Sequence, residues 1–127
     1  MILTALALAI LLHAAQVGLF AVVSDVQRGL RYNAGPRDDA PAPLSPRAAR
    51  LQRATANHAE ALILFAPAAI LAHLVGHTPV ATACAWTYLA ARALYVPAYV
   101  FPFGLARSAL WIVGFTATVA MVISTLI

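Results

Sequence analysis

Arg53, Asn57 and Glu60 fall four and then three residues apart inside an otherwise apolar run, RATANHAEALILFAPAAILAHL. That spacing puts a cation, an amide and a carboxylate on one face of a helix. At ~100° per residue, Arg50, Arg53, Asn57, Glu60 and Leu64 fit within an arc of about 80°. Charged groups are costly within a membrane-spanning run and mark a site more often than decoration. The next apolar run carries a second stripe, Tyr88, Arg92, Tyr95 and Tyr99, within about 60° of arc. Arg107, Ser108 and Trp111 open the last run, and Arg28 and Arg31 close the first. Every long helix is therefore expected to contribute to one cavity. Arginines outnumber its single acid, Glu60, so the surplus positive charge calls for a small polyanionic ligand. The competing reading is a structural ion pair of Glu60 with Arg53 or Arg92 that only fixes helix register.

The elements that must position these groups are membrane helices. Of 127 residues, 63% are hydrophobic and 9% charged, against about a quarter charged in soluble proteins. Four stretches approach the roughly 20 residues that a span needs: about 1–23, 54–75, 80–100 and 105–127. The first has no basic residue before it and exceeds the roughly 7–15 residues of a signal core, so it is expected to be retained. The fold class expected is an all-α integral membrane protein, a four-transmembrane-helix up-down bundle forming one domain over residues 1–127.

All eight basic residues are arginine, and Arg28, Arg31, Arg37, Arg47 and Arg50 crowd the first connection. The positive-inside rule makes that loop, about 24–46, cytoplasmic. Both termini then lie outside, and the third connection, with Arg107, returns to the cytoplasmic side. The segment 31–46 holds four of the eight prolines with Gly35, Asp38 and Asp39, which excludes a continuous helix. Ser45 followed by Pro46 reads as an N-cap and first turn, so the second helix is expected to begin before the membrane. Gly76–Pro79 and Pro102–Gly104 read as short turns, and the third helix is expected to break or kink near Pro97.

No soluble basic domain is present to support nucleic-acid binding, and topology together with anionic headgroups accounts for the arginine excess. Cys84 stands alone, so one chain offers no disulfide framework and no cysteine metal site. His13, His58, His73 and His77 show no metal-ligand spacing, and packing or interfacial roles are expected for them. No metal is expected.

The strings RATANHAEALILF, ARALYVPAY and ARSALW together resemble the family of membrane-associated proteins in eicosanoid and glutathione metabolism (MAPEG), in particular its short bacterial members. The resemblance spans most of residues 31–111. It implies a homotrimer in the bacterial inner membrane, with glutathione as co-substrate held between subunits near the cytoplasmic surface. It makes Arg53, Asn57 and Glu60 ligands from the second helix, with Arg53 suited to a carboxylate and Glu60 to the α-ammonium. Tyr95 and Tyr99, with Arg92 on their stripe, fall at third-helix positions that the family uses. Arg107 matches the arginine that activates the thiol, followed by Ser108, and either Arg28 or Arg31 stands for the arginine at the end of the first helix. A guanidinium lowers a thiol pKa from about 8.5 and raises the fraction of thiolate, the nucleophile. Two positions depart from the pattern. Some relatives have a second arginine where this chain has Ala56, and some have a tyrosine near Trp111.

The implied activity is a glutathione transferase or peroxidase acting on a lipophilic electrophile or lipid hydroperoxide that enters from the bilayer. The alternative is a non-catalytic membrane scaffold or accessory subunit of the same fold. A small multidrug transporter fits poorly, because such proteins need an acid in the first span and residues 1–23 contain none.

Overall fold

The computed structural model describes residues 1–76, 78–101 and 103–126. His77 and Pro102 lie outside the described residues. The described chain is helical, with elements α1 (Ile2–Arg28), α2 (Leu30–Ala34), α3 (Pro46–Leu74), α4 (Pro79–Val100) and α5 (Gly104–Ile123). Among the described residues three helices, α1, α3 and α5, are long and apolar enough to cross a membrane. The fourth expected span, α4, has the length but not the composition. Its polarity is turned inward: Tyr88, Arg92 and Tyr95 are all buried against neighbouring helices.

The contacts between helices fix their directions. Gln27 meets Ser45 and Gln16 meets His58, so α1 and α3 run antiparallel. Phe65 stacks on Tyr88 and Arg50 reaches the Val100 carbonyl, so α3 and α4 do likewise. Gly114 lies beside Tyr88, Ala91 and Arg92, and Arg107 lies over Tyr99, which sets α5 against α4 in the same sense. Among the described residues α1 packs on α3 and α4 but not on α5.

The apolar core sits at one end. It joins Ile2, Ala5 and Ala9 of α1 to Phe65 and Ala69 of α3, with Ala85 of α4 and Met121 of α5. Alanine dominates because small side chains let helix backbones approach closely, and close packing replaces the hydrophobic effect between helices in lipid. The outside is apolar too: Val26 is 81% exposed and Leu105 91%. The arginine-rich segments occupy the opposite end, where the helices enclose cavities instead of a packed core.

Local chemistry explains the element ends. The Ser45 hydroxyl accepts from the Ala48 amide at 3.3 Å with Pro46 in the first turn, the start that the Ser-Pro pair predicts. Ser45 is also clamped by Gln27, whose side-chain oxygen accepts from the Ser45 amide at 2.8 Å. Ser45→Ala is expected to cost about 1 kcal/mol, read as a lower thermal midpoint in detergent with the fold unchanged by circular dichroism.

The first connection is more structured than its prolines suggest. The α1 helix continues to Arg28, and Gly29, at φ 88°, makes a left-handed turn into the short α2. Asn33 ties α2 back to α1 by donating to Asp25 at 2.7 Å and to Ser24 at 3.1 Å. Proline does not break α4. The helix runs through Pro97 to Val100, and the Pro97 carbonyl accepts from the Phe101 amide at 2.9 Å where the helix ends. Pro67 likewise sits inside a continuous α3.

Candidate functional site

The antiparallel register brings the polar stripe of α3 against that of α4. Arg92, 3% exposed, donates from Nη1 to the Asn57 side-chain oxygen at 2.9 Å. Its guanidinium carbon lies 5.5 Å from the Tyr88 ring centre and 5.3 Å from that of Tyr95, so two aromatic rings share the charge. Gly114 of α5 packs beside it at ordinary van der Waals distance. A Cβ there would stand 3.6 Å from Arg92 Nε.

Nearer the arginine-rich end, Tyr99 lies between two more guanidinium groups, Arg53 at 6.0 Å and Arg107 at 5.1 Å from its ring centre. Tyr95 and Tyr99 pack with their rings tilted at 58° and 5.5 Å between ring centres. Successive tyrosine rings of α4 thus carry cations, Arg92 from α4 itself on Tyr88 and Tyr95, and Arg53 of α3 with Arg107 of α5 on Tyr99.

Three cavities adjoin along this seam. One of about 140 Å³ is lined by Asn57, Glu60, Tyr88, Arg92, Trp111 and Thr118. One of about 360 Å³ is lined by Tyr95, Tyr99, Arg107, Ser108 and Trp111. One of about 160 Å³ is lined by Arg50, Arg53, Tyr99 and Arg107 and has no acidic wall. Trp111 borders the first two, and Tyr99 and Arg107 the last two. Three guanidinium groups around one small space attract an anion, and Glu60 offers a carboxylate to a cation farther along.

Glu60 makes no ion pair among the described residues, with either Arg53 or Arg92. The expected register-fixing pair is therefore absent from this single chain. Glu60 and Arg53 are both exposed, and Glu60 stands at the middle of α3. A carboxylate without an ion pair is costly within a membrane-spanning helix.

The cavities bring together Arg53, Asn57, Glu60, Arg92, Tyr95, Tyr99, Arg107 and Ser108. Arg28 and Arg31 lie elsewhere. They line separate cavities with Tyr32 and Arg37 at the junction of α1 and α2, and Arg28 donates to the Ala42 carbonyl at 3.2 Å. Within this single chain the first helix does not bring Arg28 and Arg31 to the seam, and among the described residues α1 makes no close backbone approach to α5.

Phe115 and Thr118 were not singled out from sequence, yet both line the innermost cavity. They continue the face of Arg107 and Trp111 at helical spacing, which is the signal that would have found them. Among the described residues, no three His, Cys, Asp or Glu side chains come together as a metal site would require.

A family model described as MAPEG family matches residues 1–127. No curated protein and no solved structure matches the chain.

Proposed function

The chain belongs to the MAPEG family, and from that premise we propose that it binds glutathione in the seam between α3, α4 and α5 and uses its thiolate as a nucleophile. The observation that carries this reading is the convergence of Arg50, Arg53 and Arg107 on one space without an acidic wall, next to an unpaired Glu60. Glutathione has two carboxylates, an α-ammonium and a thiol. Arg50 and Arg53 suit the carboxylates, Glu60 the ammonium, and Asn57 and Arg92 the peptide groups between them. Arg107 stands beside Tyr99 and Ser108, where a guanidinium favours thiolate over thiol.

The second substrate in this reading is a lipophilic electrophile or lipid hydroperoxide arriving through the bilayer. Trp111 and Phe115, stacked at 5.3 Å between ring centres on α5, form the apolar side of the seam. Catalysis would combine thiolate activation with the holding of both reactants in one cleft.

The assembly proposed is a homotrimer of four-span subunits in the bacterial inner membrane, with the arginine-rich end cytoplasmic. The exposure of Arg53, Glu60 and Arg107 supports it, because a site between subunits must be open in one subunit alone. In such an assembly Arg28 and Arg31, which line cavities away from the seam of their own subunit, would face the seam of a neighbouring copy.

Calorimetry with reduced glutathione on the detergent-purified protein tests the reading. Saturable binding is expected, weakened about 10- to 100-fold by Arg53→Ala and by Glu60→Ala, since a hydrogen bond to a charged group is worth about 1.5–3 kcal/mol. Absence of binding at millimolar glutathione would overturn it in favour of a non-catalytic scaffold, the reading to which Ala56 lends weight.

A further inference from the structure

Beside the arginine seam, between α1, α3 and α4, lies a second polar group that the proposed function does not use. Gln16 of α1 and His58 of α3 are 4% and 1% exposed, and Tyr88 of α4 is 1% exposed. His58 Nδ1 and Gln16 Oε1 are 3.1 Å apart. A carboxamide oxygen only accepts, so with the amide in this orientation His58 carries its proton on Nδ1 and leaves Nε2 as an acceptor. His13 packs edge-on against His58 with ring centres 5.2 Å apart, and the Tyr88 ring centre is 6.5 Å from that of His58.

Four buried polar atoms in this group, His13 Nδ1, Gln16 Nε2, His58 Nε2 and the Tyr88 hydroxyl, have no hydrogen-bond partner among the described residues, and neither has Arg92 Nε beside the Tyr88 ring. Their chemistry is complementary. The Gln16 amide and the Tyr88 hydroxyl offer donors; His58 Nε2 offers an acceptor, and His13 Nδ1 offers a second when that ring is protonated on Nε2. A group that meets all four must donate twice, accept twice and be very small.

Water has that inventory, and buried waters take up otherwise unsatisfied polar groups with about two to four hydrogen bonds. A metal cation is disfavoured by the Arg92 guanidinium, 5.5 Å from the Tyr88 ring centre, and by the two donors, which a metal cannot satisfy. An anion is disfavoured by the imidazole lone pairs.

We propose that His13, Gln16, His58 and Tyr88 form a buried binding site for water between α1, α3 and α4. Tyr88 belongs to this site and to the seam at once. Its hydroxyl turns to the water, one ring face stacks on Phe65 at 3.7 Å between centres, and Arg92 lies against the ring. The water therefore fixes the tyrosine that helps to place Arg92. The site stands whether or not the seam takes glutathione.

A structure of the protein from lipid mesophase, at a resolution that shows waters, tests this together with ¹⁵N spectra of its histidines. The result expected is solvent density within hydrogen-bond reach of His58 Nε2 and the Tyr88 hydroxyl, with His58 as the Nδ1–H tautomer. Tyr88→Phe, which keeps the ring, is expected to shift the His58 Nε2 resonance. Gln16→Leu and His58→Leu singly should each lower the thermal midpoint by about 3–6 °C, because each leaves buried partners unmet. The double variant should recover part of that loss, since it removes both sides of the network. Direct Tyr88–His58 contact without solvent density, stoichiometric zinc or copper, or simple additivity of the two single variants would each overturn the proposal.

Discussion

Arg107→Ala is expected to lower glutathione-dependent turnover by about 10²- to 10³-fold, the usual loss when one preorganised donor to a developing or stored negative charge is removed. The guanidinium stands over the Tyr99 ring at 5.1 Å, on the first turns of α5, and borders the space that it shares with Arg50 and Arg53. It is exposed, so the fold does not depend on burying it. The thermal midpoint without ligand should stay within a degree or two of the parent, whereas a structural arginine would take stability with it. Arg50 and Arg53 still attract the carboxylates in the variant, so affinity should fall less than turnover. Arg107→Lys keeps the charge but loses the planar fork and should fall between the two. The decisive reading is the ultraviolet absorbance of bound thiolate. If Arg107→Ala leaves both that band and turnover at the parent level, thiol activation lies elsewhere.

The parts of the molecule legible in sequence were those that depend on neighbours along one helix. The Ser45-Pro46 start and the shared face of Arg53, Asn57 and Glu60 follow from helical period alone. That the α3 and α4 stripes lie at similar depth was legible as well, because the short connection read at 76–79 makes the two helices antiparallel, but that Arg92 meets Asn57 and not Glu60 needed the fold. What needed the fold were relations between helices separated in sequence. Nothing in the spacing of Arg28 and Arg31 says that α1 misses α5. Nor does His13 announce His58, 45 positions away, or show that Gln16 sets the orientation of that ring. The same limit explains α4. Hydropathy along the chain counts Arg92 and its tyrosines as polar, whereas the packing hides them from lipid.

Arg92→Met should separate function from fold by weakening binding while leaving stability nearly unchanged. Arg92 is a buried cation with no carboxylate partner among the described residues. It keeps one hydrogen bond to Asn57 and two ring faces. Burying an ion costs several kcal/mol even after relaxation. Against this stand about 1.5–3 kcal/mol for the charge-assisted bond and about 0.5–2 kcal/mol for each ring. The two sides nearly cancel, and methionine fills much of the vacated volume. The thermal midpoint without ligand is therefore expected to move little. Glutathione affinity should drop about 10- to 100-fold, because the seam loses the innermost of its cations while Glu60 remains. The ligand-dependent rise in midpoint should shrink in proportion. A steep fall in the midpoint without ligand, with affinity intact, would make Arg92 a structural clamp between α3 and α4 and leave the outer arginines alone responsible for binding. The charge of Arg92 makes the difference testable: a residue kept for packing can be replaced by its shape, whereas one kept for a ligand cannot.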